Sequence, residues 1–182
     1  MKQSTKKDSK FEIKYYPSFD DEWWNFEVEK LLPYCYGKGA DVGAGTRSPL
    51  AEQTRIDVDP KYHPEFATSA DKIPVKDNSF DYITSLHLLE HFQKPELAIA
   101  EWLRVVKVGG YACLVIPDRE FTGTADQRKA PEPGKNPMWH YSEFTYREFM
   151  IWLDKHTELS YKLIDHGPAW EGWSFYVILQ KK

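Results

Sequence analysis

Runs of apolar residues alternate along the chain with segments whose apolar residues recur every three or four positions. Apolar runs between turn residues predict strands. One short strand precedes Gly43, and the others lie at 53–58, 66–69, 80–86, 111–116, 160–165 and 174–179. The helical stripes predict three helices, at 20–32, at 95–107 and directly after Thr145.

The alternation of strands with helices predicts an α/β fold, a Rossmann-like three-layer sandwich with a mostly parallel sheet between helices. The last two strands are joined by a loop, 167–172, that is too short for a helical crossover. We therefore expect those two strands to be antiparallel. The helix after Thr145 begins with a capping box, Thr145 and Glu148, and with a hydrophobic staple between Phe144 and Phe149.

The most informative stretch is GADVGAGTRSP at 39–49. It predicts a buried strand, a glycine turn and the start of a helix, where free N–H groups suit an anionic ligand. Only the residues from Thr46 to Glu52 separate this turn from the next strand, so the crossover is short for an α/β unit. The next strand ends in the acids Asp57 and Asp59, at the edge where open parallel sheets bind ligands.

Composition narrows the class of protein further. The chain has 182 residues and a net charge of −4, which disfavours binding to nucleic acid through a basic face. No apolar run reaches the roughly 18 residues of a membrane span, and the polar start MKQSTKKDSK does not have the pattern of a signal peptide. Cys35 and Cys113 lack the spacing of metal ligands, so we predict a reduced, cytoplasmic protein without a metal site.

The boundaries suggested by the sequence are simple. We expect a disordered tail at 1–10 and one domain over 11–182. Within it, residues 117–140 contain four prolines and no period, which predicts a lid or an acceptor-binding loop. The sequence does not indicate an oligomeric state.

Four motifs in order resemble those of the class I S-adenosylmethionine-dependent methyltransferases, and most closely the type 11 group. They are DVGAG at 41–45, IDVDP at 56–60, SADKIPVKDNSFDYITSLHLLEHF at 69–92 and VVKVGGYACLVIPD at 105–118. The resemblance implies S-adenosylmethionine as the cofactor and a seven-stranded sheet with one antiparallel strand near the C-terminus.

The resemblance also implies roles for single residues. Asp41, Gly43, Ala44 and Gly45 would hold the amino-acid part of the cofactor. Asp57 would accept hydrogen bonds from the ribose hydroxyls. The adenine would lie between Val58 and Ile73, with Asp71 and Lys72 at its amino group, and Leu86 and His87 would lie near the sulfonium.

Three other functions are alternatives to methyl transfer, and the sequence argues against the first two. His87 to His91 fit the H-x-x-E-H pattern of zinc proteases, but His87 follows a strand directly, so the two histidines do not share a helix face. A nicotinamide dehydrogenase would need a glycine where Ser48 stands. The third alternative is a catalytically inactive domain that binds the cofactor or a partner chain.

The methyl acceptor is harder to predict. An Asn-Pro-Pro-Tyr motif, which would suggest amino methylation of nucleobases, is missing after the strand at 80–86. We therefore predict O-methylation of a small molecule or a glycan. A hydroxyl acceptor must lose its proton, and we expect His140 to be the base because it lies outside the cofactor motifs, with His87 as the second catalytic candidate.

Overall fold

The computed structural model describes residues 22–123, 139–170 and 172–182. The predicted tail at 1–10 and most of the predicted lid, 124–138, lie outside these residues. The elements are α1 (Glu22–Leu31), β1 (Gly39–Val42), β2 (Thr54–Asp57), β3 (Phe66–Ala67), β4 (Phe80–Leu86), α2 (Pro95–Val105), β5 (Val106–Pro117), α3 (Arg119–Thr122), α4 (Tyr146–Lys155), β6 (Tyr161–Trp170) and β7 (Ser174–Lys181).

The described strands form one seven-stranded sheet in the order β3-β2-β1-β4-β5-β7-β6. The five strands from β3 to β5 are parallel, and β7 is antiparallel to both of its neighbours. The predicted mostly parallel sheet with one reversed strand is therefore confirmed. The strand order reverses between β1 and β4, so the carboxyl ends of these strands flank the crevice in which such sheets bind ligands.

The sheet carries an apolar core on each face. On one face, α2 contributes Ile99 and Trp102, and α4 contributes Phe149 and Leu153. On the other face, α1 contributes Val28, which packs in a second core with Cys113 of β5. Successive residues of β5 alternate between these two cores, as a strand that is buried on both faces requires.

The local signals around α4 are confirmed. The Thr145 side chain accepts a hydrogen bond from Glu148 N, and the Glu148 carboxylate accepts one from Thr145 N at 2.9 Å. The rings of Phe144 and Phe149 lie 5.3 Å apart and form the predicted staple. A capping box and a staple depend on neighbouring residues, so the sequence alone is sufficient to predict them.

Three boundaries differ from the sequence prediction. No helix follows the glycine turn, since residues 46–53 form only turns and an isolated bridge before β2. The helix predicted at 95–107 ends at Val105, and β5 begins at Val106, because Val106 pairs with Phe80 of β4. A Cβ at Gly110 would come within 2.3 Å of Asp81 O, so this glycine lets β5 approach β4 closely beside the bulge in their pairing.

The loop predicted at 167–172 is also shorter than expected. Strand β6 continues to Trp170, which pairs with Ser174 of β7. The longer strand brings Trp170 and Trp173 to the same edge of the sheet as the end of β5, since Ser174 also pairs with Pro117. Within the described residues, no helix is long and apolar enough to cross a membrane.

Candidate active site

The glycine turn is held by β2 instead of by a helix. Gly43 N and Ala44 N both donate to Ile56 O, at 2.8 and 3.2 Å. Gly43 and Gly45 have φ angles of 78° and 47°, in the left-handed region that favours glycine. The expectation that a helix N-terminus here would meet an anion is therefore wrong, and the N–H groups of the turn are instead directed to β2.

Asp41 lies buried beneath this turn. The Thr84 hydroxyl donates to Asp41 Oδ1 at 2.9 Å, and Gln53 Nε2 donates to Thr84 Oγ1 at 2.8 Å. Asp41 Oδ2 has no hydrogen-bond partner among the described residues. Burial raises the pKa of Asp41 to about 7, although the Ser48 and Thr84 hydroxyls and Arg55 act in the opposite direction. An unpartnered buried carboxylate oxygen favours a cationic ligand at this position.

Asp57 connects the turn to the end of β2. Its Oδ2 accepts a hydrogen bond from Gly45 N at 2.8 Å, and its Oδ1 accepts one from Asp59 N at 2.8 Å. A carboxylate has about four lone-pair sites, so two remain for hydroxyl donors. The residue is nearly buried. Asp57 therefore has a structural role in addition to the ribose contact that the resemblance implies.

The other expected cofactor residues differ in exposure. Val58 follows Asp57 and is 61% exposed, an apolar side chain in the position expected for an adenine contact. Asp71 is half-buried and accepts a hydrogen bond from the Ser69 hydroxyl, whereas Lys72 is exposed. Ile73 is buried in the core, which leaves Val58 as the accessible apolar surface beside Asp57.

These residues fit S-adenosylmethionine at the glycine turn. A Cβ at Gly43 would come within 2.8 Å of Leu88, whereas a Cβ at Gly45 would meet only Gly43 O at 4.0 Å, so the surface above Gly45 is open. Asp41 and Asp57 supply acceptors for an ammonium group and for hydroxyls, respectively. Leu86 is buried at the end of β4, and His87 follows it directly.

A cavity of about 480 Å³ lies at the carboxyl ends of β4 and β5. Carboxylates, imidazoles and indoles dominate its wall. The residues lining it are Glu27, His87, Glu90, His91, Pro117, Thr122, His140, Trp170 and Trp173. Both histidines that the sequence singles out for catalysis, His87 and His140, therefore face one cavity, which we call the acceptor cavity.

A buried glutamate on α1 fixes the ring of His87. Glu27 is fully buried, and its two carboxylate oxygens lie 3.0 and 2.9 Å from His87 Nε2. The Ser174 hydroxyl donates to Glu27 Oε1 at 2.5 Å. Burial opposes charging of His87, but the hydrogen bond and the charge of Glu27 outweigh it and raise the pKa of the imidazole.

The backbone at His87 is also unusual. His87 has φ of 51°, a left-handed conformation that is uncommon for a residue with a Cβ, and its N–H donates to Val115 O at 3.0 Å. Such conformations cost free energy and persist where the surroundings determine them. Here the turn directs the ring from the end of β4 toward α1 and the cavity.

Glu90, His91 and His140 form a second cluster on the cavity wall. One potential ligand atom from each of the three lies within 4.8 Å of the others. Burial raises the pKa of Glu90 to about 7, and Glu90 Oε2 has no hydrogen-bond partner among the described residues. The rings of His91 and His140 meet edge to face at 4.9 Å. The sequence predicted no metal site, so this cluster of three potential metal ligands was not expected.

Glu27 and the two tryptophans of the cavity wall were not predicted as site residues from the sequence. Glu27 lies on the apolar stripe of α1 with Trp24, Val28 and Leu31, where a carboxylate is out of place. A glutamate on the apolar stripe of a helix could therefore have been recognised in the sequence as a buried functional group. The indoles of Trp170 and Trp173 stack at 5.5 Å between centroids, and Trp173 is 50% exposed. The two indoles reach the cavity because β6 extends to Trp170, whereas the sequence pattern predicted that this strand ends at residue 165.

Comparison with known proteins supports the same family. The model of a methyltransferase domain, type 11, matches residues 40–114, the span from β1 to β5. An uncharacterised methyltransferase of Schizosaccharomyces pombe is 45% identical over 42 residues, which are 23% of this chain and 15% of that protein. The match to this relative therefore spans a small part of its length.

Solved structures share the fold. A methyltransferase of Thermotoga maritima described as a possible histamine N-methyltransferase superposes with a TM-score of 0.63 at 21% identity, over 87% of this chain and 89% of that chain. The Burkholderia thailandensis 1,6-didemethyltoxoflavin-N1-methyltransferase superposes with a TM-score of 0.63 at 13% identity, over 89% and 79% of the two chains. The latter structure contains S-adenosylhomocysteine.

The seven-stranded order, the glycine turn tied to Asp57 and the match over residues 40–114 agree with one another. Residues 40–114 match a type 11 methyltransferase domain, and the chain has the fold of solved S-adenosylmethionine-dependent methyltransferases, which supports S-adenosylmethionine as the cofactor.

Proposed function

We propose that the protein transfers a methyl group from S-adenosylmethionine to a hydroxyl oxygen of a small molecule or a glycan. The observation that carries this proposal is the position of His87. Its ring is held by the buried Glu27 at the wall of a 480 Å³ cavity, at the sheet edge where the glycine turn also lies. An oriented imidazole beside an acceptor cavity is the group that a hydroxyl acceptor requires.

The chemistry divides between cofactor and protein. When bound, S-adenosylmethionine supplies a methyl group whose bonding electrons leave with the sulfur, so the leaving group needs little activation. The protein aligns the acceptor oxygen with the methyl carbon and removes the hydroxyl proton as the new C–O bond forms. That proton passes to the imidazole of His87, whose other side is fixed by Glu27.

We place the proton acceptor at His87 and a positioning role at His140. Two oxygens of Glu27 lie within 3.0 Å of His87 Nε2, whereas His140 Nδ1 lies 3.5 Å from Glu143 Oε1. His140 also packs against His91. Both histidines line the cavity, but His87 has the better-defined ring orientation.

The tryptophan pair supports an acceptor with a flat apolar face. Trp170 and Trp173 line the acceptor cavity with their rings nearly parallel, at 16°. Indole faces stack on aromatic rings and on the apolar faces of sugar rings. Such a surface suits a phenol or a pyranose whose hydroxyl points toward the histidines, and we propose this geometry for the acceptor.

The proposal is tested by measuring S-adenosylhomocysteine release from S-adenosylmethionine with a panel of phenols and glycosides. Each acceptor is paired with its O-methylated form, which lacks the reacting proton. We expect release with at least one free hydroxyl acceptor and none with its blocked partner. Cofactor binding without release across the panel, or equal release with blocked acceptors, would contradict O-methylation and favour the inactive alternative.

A variant pair assigns the proton acceptor. His87→Asn should retain cofactor binding and lose turnover by roughly 10²–10⁴-fold, the usual contribution of a positioned acid or base. His63→Asn serves as the control, because His63 is exposed and its left-handed backbone, φ 51°, tolerates asparagine. Unchanged turnover in His87→Asn would remove this histidine from the proposed mechanism.

A further inference from the structure

We propose that Glu90, His91 and His140 bind a divalent transition-metal ion, with Zn²⁺ as the best match, which holds the acceptor hydroxyl. The inference deepens the proposed O-methylation and rests on it for the role of the ion. The ion site itself rests only on the three side chains. They combine one carboxylate with two imidazoles, a set that zinc enzymes use together with an open position for water or substrate.

The geometry of the three ligands favours a shared ion. His91 Nε2 lies 3.9 Å from Glu90 Oε1, and one ligand atom from each of the three residues lies within 4.8 Å of the others. Two ligands of a tetrahedral zinc ion, each about 2.1 Å from it, lie about 3.4 Å apart. The cluster therefore needs only side-chain adjustments to close around an ion.

The outer nitrogens of both histidines have acceptors beside them. His91 Nδ1 lies 3.2 Å from the carbonyl oxygen of Trp139, so this nitrogen donates and Nε2 retains its lone pair. His140 Nδ1 lies 3.5 Å from Glu143 Oε1. Histidine ligands of metals almost always donate their second N–H to a carbonyl or a carboxylate in this manner.

The burial of Glu90 supports a cation at this position, separately from the spacing of the three ligands. The Glu90 side chain is 3% exposed, it lines the cavity, and its Oε2 has no hydrogen-bond partner among the described residues. Burying a carboxylate without compensation is costly, and a coordinated cation would supply the compensation. Two further carboxylates, which attract a cation, lie nearby: Glu27 lines the same cavity, and Glu143 Oε1 lies 3.5 Å from His140 Nδ1.

The site shares Glu90 and His91 with the H-x-x-E-H motif at 87–91 but does not use the ligand pair of zinc proteases. His87 Nε2 is occupied by Glu27, so the motif histidines His87 and His91 do not ligate as a pair. The third ligand comes instead from His140, which follows β5 and α3 in the chain. An ion here would bind the acceptor hydroxyl and make it more acidic, and His87 would take the proton.

The decisive experiment measures metal binding to the complete chain, free of affinity tags and stripped with EDTA. Calorimetric titration with ZnCl₂ should show one tight equivalent for the wild type. Glu90→Gln and His140→Gln should bind at least roughly ten-fold more weakly, whereas the surface control His63→Asn should match the wild type. His140 is 35% exposed, so its replacement keeps the test valid if Glu90→Gln fails to fold.

Equal binding by wild type and by both variants, or no binding by the stripped wild type, would overturn the site. The outcomes also separate the two proposals. Methyl transfer that resists EDTA, with no Zn²⁺ bound, would sink the ion but leave O-methylation standing. Stoichiometric Zn²⁺ binding lost in the variants, without methyl transfer to any acceptor, would support the ion and contradict the proposed function.

Discussion

The carboxylate of Glu27 contacts His87 Nε2 through both oxygens, at 3.0 and 2.9 Å, although sixty residues of chain separate the two. Glu27 comes from α1 and His87 from the turn after β4, so this contact joins the first helix of the described chain to the acceptor cavity. The residues that we expect to bind the cofactor lie at the ends of β1 and β2, and the Glu27–His87 contact lies at the wall of the acceptor cavity.

Replacing Glu27 by glutamine tests whether this contact orients the catalytic ring. Glu27→Gln keeps the shape of the side chain but removes the charge that stabilises protonated His87. We expect turnover to fall by roughly 10²-fold or more while S-adenosylmethionine affinity stays within a few-fold of wild type. Glu29→Gln is the matched control, because Glu29 is exposed on the same helix.

Turnover and cofactor affinity are measured separately, by initial rates and by calorimetry. A Glu27→Gln protein with wild-type turnover would show that the contact is structural only. Loss of cofactor affinity by the same factor as turnover would place Glu27 in cofactor binding instead of acceptor chemistry.

Asp41 should make stability depend on pH. Its pKa is raised from 3.8 to about 7 in the fold, so the folded protein retains a proton that the unfolded chain releases. Stability should therefore fall as pH rises from about 4 to about 7, and Asp41→Asn should flatten this slope. Urea unfolding at a series of pH values measures it, with Asp154→Asn, an exposed site, as the control.

The opposite slope, or the same slope in wild type and Asp41→Asn, would contradict the buried, unpartnered state of this carboxylate. The cofactor should reverse the effect. An ammonium beside Asp41 Oδ2 favours the ionised form, so S-adenosylmethionine should stabilise the protein more at pH 7 than at pH 5.

Gly43 is predicted to be the sensitive position of the glycine turn. Gly43→Ala places a Cβ within 2.8 Å of Leu88 in a left-handed backbone, φ 78°. Gly109→Ala has a similar φ of 80° but meets nothing within 4 Å. Both should lose about 1–2 kcal/mol from the backbone conformation, and only Gly43→Ala should also weaken S-adenosylmethionine binding.

Thermal unfolding and cofactor titration of the two alanine variants separate these effects. Equal stability loss with equal cofactor affinity would show that the close approach of Leu88 to the turn has no functional consequence.

Trp173 should contribute to acceptor binding and not to cofactor binding. Its indole is 50% exposed, stacks on Trp170 and lines the cavity. Trp173→Ala should raise the acceptor KM by roughly ten-fold, which corresponds to about 1.4 kcal/mol of lost stacking, with little change in kcat. Phe26→Ala, another half-exposed aromatic residue, is the control. An unchanged KM would show that the acceptor does not contact this indole.

Much of the fold could be predicted because its signals are local. The capping box at Thr145, the acid at the end of β2 and strand β4, found at 80–86 as predicted, each depend on a few adjacent residues. The end of α2 could not be located in this way. Val106 favours the strand because Phe80 is its partner, and that pairing spans twenty-six residues.

The residues expected to bind the cofactor could be predicted because they also stand in short local motifs. Asp41, Gly43 and Asp57 stand in short motifs, and the fold brings them together at the ends of β1 and β2. The acceptor half depends on contacts between distant segments. Ser174 reaches Glu27 across 147 residues, and His91 meets His140 only through the return of the chain after α3. Periodicity carries no information about such contacts.

The most direct measurement is a calorimetric titration of the purified wild-type protein with S-adenosylmethionine, beside a parallel titration with NAD. The structure and the family predict one equivalent of S-adenosylmethionine per chain, weakened at least ten-fold in Asp57→Asn, because Asp57 both holds the glycine turn and offers its remaining lone pairs to the ribose. No heat of binding with S-adenosylmethionine, together with saturable binding of NAD, would contradict the central claim that the protein uses S-adenosylmethionine.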